Sequence, residues 1–204
     1  LGAYDYKYLK EAKIPNIDLF LSNGGKVWNE QLRELSTMEL NKRTLEDNDW
    51  LKSIVLPKGI EILDKYAFAN CKALESISLP NTLKTIGRMV FRNDSSLKEI
   101  VIPESVECID YGAFGQATID KLKITKHVGK IDDRAFSGAN IKELIMPSSI
   151  IKSVYKYFED CNLSKMIVEA NDNNAIKEIV ECIKSKKNKY NTDIVIPNGK
   201  KIDN

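Results

Sequence analysis

Residues 51–73 read LKSIVLPKGIEILDKYAFANCKA, residues 74–96 LESISLPNTLKTIGRMVFRNDSS, and residues 97–118 LKEIVIPESVECIDYGAFGQAT. Residues 119–140 (IDKLKITKHVGKIDDRAFSGAN) and 141–162 (IKELIMPSSIIKSVYKYFEDCN) continue the series, and Leu163-Ser-Lys-Met166-Ile-Val168 opens a sixth unit. The starts fall 23, 23, 22, 22 and 22 residues apart, and the shared template is LxxIxLPxx(L/V/I)xxIxxxAF. A fixed period of this length marks a stacked-repeat architecture. Five of the six phenylalanines, Phe68, Phe91, Phe114, Phe136 and Phe158, fall at a single phase of it.

The template has a mechanical meaning. In LxxIxLP the last two apolar residues sit two apart, as on one face of a strand. Proline then ends the strand, because it has no N–H for a ladder. A second apolar pair, three residues apart, leads into an expected short helical or 3-10 turn that ends at the phenylalanine. One coil is thus a strand, a turn and a return segment. A lone coil cannot bury its own apolar face, whereas stacked coils share a core. The expected fold is a β-rich α/β solenoid with a curved parallel sheet and right-handed connections.

Outside the clean region the pattern degrades. Leu9-Lys-Glu-Ala12-Lys-Ile14-Pro15 matches the strand motif with Ala for Ile, and Leu1 to Tyr6 has the Ile-to-Phe interval. The chain therefore opens in mid-repeat, which predicts coils or a cap ahead of residue 1. Leu40 and Leu45 fit the Ile and Phe slots of the unit before Leu51. Residues 16–36 fit poorly and read as an insertion: a strand at Ile17–Leu21, a turn at Ser22–Gly25 and a short helix from Trp28 to Leu35. At the other end, Ile194-Val-Ile196-Pro197 restores the motif. The excess before it is an amphipathic helix, about Asn174 to Lys187, carrying Ile176, Ile179, Val180 and Ile183 at helical spacing. It suits a cap over the open end of the core. The expected organisation is degenerate N-terminal repeats over 1–50, regular repeats over 51–168, and a capping helix with a final strand over 169–204, all in one solenoid.

Composition narrows the function classes. The chain has 204 residues, 43% hydrophobic and 29% charged, and a net charge of +2. So balanced a chain has no large field to gather nucleic acid or an acidic membrane. No apolar run reaches the ~18–20 residues that span a bilayer. Leu1-Gly2-Ala3-Tyr4 shows neither a basic n-region nor an apolar h-region, and the chain lacks an initiator Met. We expect a trimmed product, for which a missing signal says nothing of location.

The motif resembles the BspA-like, or Treponema-type, leucine-rich repeats. The resemblance rests on LxxIxLP, on the AF dipeptides Ala67-Phe68, Ala113-Phe114 and Ala135-Phe136, and on the Cys three places after Phe, present as Cys71 and Cys161. Asp94, Ala117 and Ala139 stand in that Cys slot in the other coils, so the motif is partly eroded. The resemblance covers residues 51–168 strongly and most of the rest weakly. It implies a leucine-rich-repeat solenoid acting in surface attachment or protein recognition at a bacterial surface or outside the cell. It implies no catalytic residues and no cofactor. The implied partner is a protein, either a host matrix or surface protein or another bacterial surface protein, with no nucleic acid and no membrane insertion.

Residue types that could carry chemistry have plainer readings. Cys71 and Cys161 share a column four coils apart, about 19 Å at ~4.8 Å per strand, beyond the ~7 Å Cα limit for a disulfide. Small buried fillers beside the phenylalanines is the reading we expect for them. Cys108 and Cys182 complete the set, too few for a disulfide scaffold and spaced for no zinc site. The sole histidine, His127, sits in a turn with at best Cys108 one coil away. Glu75, Glu99, Asp120 and Glu143 face solvent, where two carboxylates on one face would resemble a glycosidase pair. They alternate with Lys98, Lys121, Lys142 and Lys165, as cross-strand ion pairs do. Asp132-Asp133 as a calcium site lacks a counterpart in the other coils. Leu79-Pro-Asn-Thr82 has neither the following Gly nor the tail of a wall-sorting signal, and the basic run 184–189 reads as a solvated face of the cap.

The outward side of the sheet is where we place the function. Two columns should point away from the core: Ser53, Ser76, Glu99, Lys121, Glu143, Lys165, and Val55, Ser78, Val101, Lys123, Ile145, Ile167. Four members of the second column are apolar and β-branched. Strand propensity alone favours such residues; an apolar stripe among charges also suits a protein-binding surface. The residues expected to meet a partner are Val55, Glu99, Val101, Lys121, Lys123, Glu143, Ile145 and Ile167. The alternative is a spacer solenoid that displays another domain of a larger surface protein.

Overall fold

The structure is a computed structural model that describes residues 39–40, 47, 51–56, 58, 60–125, 128–153, 157–158, 160–169, 177, 193–196 and 201–202. The strands are β1 (Glu39–Leu40), β2 (Ser53–Val55), β3 (Ile62–Leu63), β4 (Ser76–Ser78), β5 (Thr85–Ile86), β6 (Leu97–Ile102) and β7 (Cys108–Ile109). They continue with β8 (Thr118–Ile124), β9 (Lys130–Ile131), β10 (Asn140–Pro147), β11 (Asn162–Glu169), β12 (Asp193–Val195) and β13 (Lys201–Ile202). From β1 to β10 they alternate between two parallel ladders, and β11 to β13 all join the larger one. The larger runs β2-β4-β6-β8-β10-β11-β12 and ends in the antiparallel strand β13; the smaller runs β1-β3-β5-β7-β9.

The first strand motif of each coil builds the large sheet. Register pairs Ser53 with Ser76, Ser76 with Glu99, Glu99 with Lys121, Glu143 with both Lys121 and Lys165, and Lys165 with Asp193. The inward positions are the leucine and isoleucine slots, and Ile54, Ile77, Ile100, Leu122, Leu144 and Met166 are buried. In the following apolar column Leu56, Ile102, Ile124, Met146 and Val168 are buried, whereas Leu79 is only partly so.

The second apolar pair behaves differently from its expected helical turn. Ile60 and Leu63, Leu83 and Ile86, Val106 and Ile109, and Val128 and Ile131 are buried, but the second member of each pair lies in a two-residue strand of the small ladder. A three-residue interval fits one helical turn. It equally fits a bend entering a strand, and stacking supplies ladder hydrogen bonds that an isolated turn lacks. Among the described residues a 3-10 helix occurs at Ser148–Ser153. Pairing of Leu40 with Leu63 puts Leu40 in the Ile slot, as the sequence suggested; Leu45 lies outside the described residues.

The phenylalanine column closes the core. Ring centroids are 5.7 Å apart for Phe68–Phe91, 5.1 Å for Phe91–Phe114, 5.1 Å for Phe114–Phe136 and 4.4 Å for Phe136–Phe158, with near-parallel planes. Two residues after the slot, Asp47, Asn70, Asn93, Gln116, Gly138 and Asp160 all have positive φ, between 59° and 70°. Asparagine, aspartate and glycine bear that conformation best. In four of these turns the N–H is aimed along the stack: Asp47 donates to the Ala69 carbonyl, Asn70 to Arg92, Asn93 to Gly115 and Gln116 to Ser137, at 2.8–3.0 Å. Side chains repeat the contact, Asn70 Nδ2 to Asp47 Oδ1 at 2.8 Å and Asn93 Nδ2 to Asn70 Oδ1 at 2.9 Å.

Entry to this turn is capped by Asp64, Asp110 and Asp132, whose Oδ1 atoms accept the N–H of Lys65, Tyr111 and Arg134. The equivalent residue of the coil between Asp64 and Asp110 is Gly87. A Cβ there would meet the Leu63 carbonyl oxygen at 2.6 Å, closer than backbone atoms tolerate. Gly87→Asp, which makes this coil match its neighbours, is therefore expected to lower stability by about 1–3 kcal/mol. Urea denaturation checks it, and an unmoved midpoint would mean that Leu63 shifts aside freely.

The insertion over 16–36, the motif at Leu9–Pro15, His127, Cys182 and the basic run 184–189 lie outside the described residues. So does the predicted helix over 174–187 except for Lys177, which is exposed.

Candidate functional site: the outward face of the large sheet

The face divides into two halves of different chemistry. Over β6 to β11 it is a grid of ion pairs. Lys121 Nζ lies 3.1 Å from Glu99, Lys165 Nζ 2.7 Å from Glu143, and Lys142 Nζ 2.6 Å from Asp120. Lys98 donates to Glu75 in the adjacent row, and its ammonium holds the Glu75 carboxyl below the usual range while its own pKa rises. These groups keep contact with solvent, so the pairs add little to stability. Their effect is to occupy each other's charges.

The second outward column shows the same division. Val55 and Val101 are 49% and 43% exposed. Ile145 and Ile167 are only partly exposed. Lys123 explains the difference. It is in register with Ile145, and its Nζ reaches 3.1 Å from Glu169 Oε1 on β11. Glu169 is in register with Pro147, so the lysine stem crosses β10, the strand of Ile145, and lies over part of it. The column continues to Val195, in register with Ile167, and the charged row to Asp193. The sequence reading did not extend the site to either residue, although Ile194-Val-Ile196 implied their positions.

Over β2 and β4 the two outward columns carry no charge, and the row beside them holds the Lys98–Glu75 pair. Between the two exposed valines, β4 presents Ser76 and Ser78, both exposed. The short serines leave a shallow hollow of about 400 Å³ lined by Ser76, Ser78, Leu79, Asn81, Glu99 and Val101, with Ile77 and Pro103 completing it. Sequence reasoning overlooked Leu79, Asn81 and Pro103 here. The signal was available: one strand alone carries serine at both outward positions.

Thus Val55, Val101 and Glu99 share one patch, while Lys121, Lys123, Glu143, Ile145 and Ile167 form the ion-paired half. Among the described residues no three His, Cys, Asp or Glu side chains converge as metal ligands. Burial pushes the Cys161 thiol up to about 12, and burial together with Asp110 raises that of Cys108, so neither is a ready nucleophile. No helix of the described residues is long and apolar enough to cross a membrane.

The sequence matches the family model described as BspA type leucine rich repeat region, in six copies, over residues 34–142 and 108–199. Among solved structures, the crystal structure of the pneumococcal vaccine antigen PcpA is similar, with a TM-score of 0.54 and 22% identity. The likeness covers 78% of this chain and 38% of that one, and it concerns the fold. The chain thus spans less than two fifths of the antigen's length. A search of curated proteins gave no match.

Proposed function

Because the chain belongs to the BspA-type leucine-rich-repeat family, we propose that it is a non-catalytic recognition module that binds a protein partner through the outward sheet face. A bacterial cell surface is the setting this reading implies, in keeping with the likeness to a pneumococcal antigen. One observation carries the choice of surface: Val55 and Val101 stand exposed on the outward face, and Val101 lines a hollow with Ser76, Ser78 and Glu99. An apolar centre beside a polar rim suits protein contact, and a rigid sheet has little to order on binding.

The test is capture of extracellular-matrix and surface proteins by the wild-type chain beside Val55→Glu/Val101→Glu. Both positions are exposed, so the variant should fold and melt like the wild type. Binding is expected to fall at least ~30-fold, on the order of 2 kcal/mol as for central interface residues. Equal capture by a folded variant would remove this surface from consideration.

A second reading is favoured by the ion-paired half of the face, whose charges are matched within the sheet: a spacer that displays another domain. Under that reading no partner is captured by wild type or variant, while a longer protein containing the chain does bind.

A further inference from the structure

We propose that the hollow over β4 receives one aromatic or large aliphatic side chain of a partner protein, with a Lys or Arg beside it that pairs with Glu99. This rests on the reading of the outward face as a recognition surface and names the partner's chemistry.

The shape comes first. Val55 is in register with Ser78, and Val101 stands on the strand beyond, so the two valines are about 10 Å apart across two strand spacings. The short Ser76 and Ser78 side chains beside Val101 leave room there for one ring or leucyl group. Leu79 and Pro103 add apolar contact along the side, while Ser76, Ser78 and Asn81 supply polar atoms. At about 400 Å³ the hollow lies near the small end of ligand pockets, ~300–1,000 Å³. A helix or strand would not sink into it. A second copy of the chain is a poor occupant too. The hollow has eight lining residues, against the ~20–30 residues a side of a stable interface. A single anchoring side chain is the contact that fits.

The charge of its neighbour follows from the row Ser76, Glu99, Lys121, Glu143, Lys165, Asp193. Lys121 has Glu99 on one side and Glu143 on the other; Glu143 has Lys121 and Lys165. Glu99 has Lys121 on one side and Ser76 on the other. It is where the alternation stops, and it lines the hollow. A cation held above Ser76 would extend the row by one member, and an anion there would face Glu99 directly.

The probe is a random twelve-residue peptide library displayed on phage, selected on the immobilised full chain. Enriched peptides are then synthesised and titrated against wild type, Ser78→Phe, Glu99→Gln and Val55→Glu/Val101→Glu, each checked for an unchanged melt. The expected peptides carry an aromatic or leucine next to Lys or Arg. They bind Ser78→Phe and Glu99→Gln at least ~tenfold more weakly, and the double valine variant more weakly still. Peptides that lose affinity only on the valine variant would overturn the hollow and leave the sheet-face reading standing. Peptides indifferent to every variant would overturn both. Enriched peptides without a basic residue, or indifferent to Glu99→Gln, would overturn the charge assignment, and a library that yields no enrichment would overturn the anchor site itself.

Discussion

Phe114→Ala is expected to lower the unfolding free energy by about 4–5 kcal/mol, at the upper end for deleting a buried phenylalanine. Its ring is wholly buried and stacks on Phe91 and Phe136, at 5.1 Å on each side. Truncation therefore removes two ring–ring contacts, each worth ~0.5–1.5 kcal/mol beyond area, and opens a cavity that neighbours on both sides define. A domain's whole stability is ~5–15 kcal/mol, so the loss is large enough to separate the stack into two blocks of coils. Stability in stacked repeats is a sum of coil terms and nearest-neighbour interfaces, which predicts a broadened urea transition by far-ultraviolet circular dichroism. A loss below ~2 kcal/mol would show that the column collapses around the gap and that the stack is less tightly fitted than its spacing suggests.

Asp94 is expected to act in the opposite sense: replacing it should stabilise the protein, increasingly as pH rises. Its side chain is fully buried in the Cys slot of its coil. Oδ1 accepts the Cys71 N–H at 2.8 Å, but Oδ2 has no hydrogen-bond partner. Burial pushes the carboxyl from its ordinary 3.8 up to about 9, against the smaller opposing pull of the Cys71 N–H. Between those two values the folded chain holds a proton that the unfolded chain has released. Stability from this residue is thus fully present below about pH 4 and is lost as pH rises toward 9. At about 1.4 kcal/mol per pH unit, the upper limit at pH 7 is about 4 kcal/mol, and relaxation of the core brings the expectation to ~2–3 kcal/mol. Asp94→Cys restores the residue found at Cys71 and Cys161. It leaves the Cys71 N–H bonded to the Phe68 carbonyl, the contact that Ala117, Ala139 and Cys161 make in their own coils. Melts of both proteins at pH 4 and pH 8 check this. A gap that stays constant with pH would mean that Asp94 is ionised in the fold.

The repeat made most of this architecture legible, because each slot was sampled five or six times. Inward columns and the phenylalanine spine could be assigned residue by residue, and even Leu40, far from the template in composition, was placed in its slot. The small ladder was misjudged, since Ile60 to Leu63 has the same interval whether the backbone turns or extends. Stacking, a property of neighbouring coils and not of the local sequence, decides between the two. The candidate site was half legible for a related reason. Outward residues could be enumerated, but exposure at Ile145 depends on where the Lys123 stem lies, and that is set by Glu169 forty-six residues on. The hollow escaped notice because it is made by what Ser76 and Ser78 lack. Asp94 was visible only as an eroded Cys, its orphaned oxygen being a fact of burial.

The hydrogen bonds that join one coil to the next all point along the stack, from the strands to the Asn70 and Asn93 turns. The material is therefore anisotropic. Tension along the axis would load one row of bonds at a time, and each coil that yields would release ~70–80 Å of chain in exchange for ~4.8 Å of stack. Force applied along the strands would instead load every row together in shear. If the molecule tethers one surface to another, the direction from which it is held decides whether it behaves as a long extensible cord or as a stiff plate.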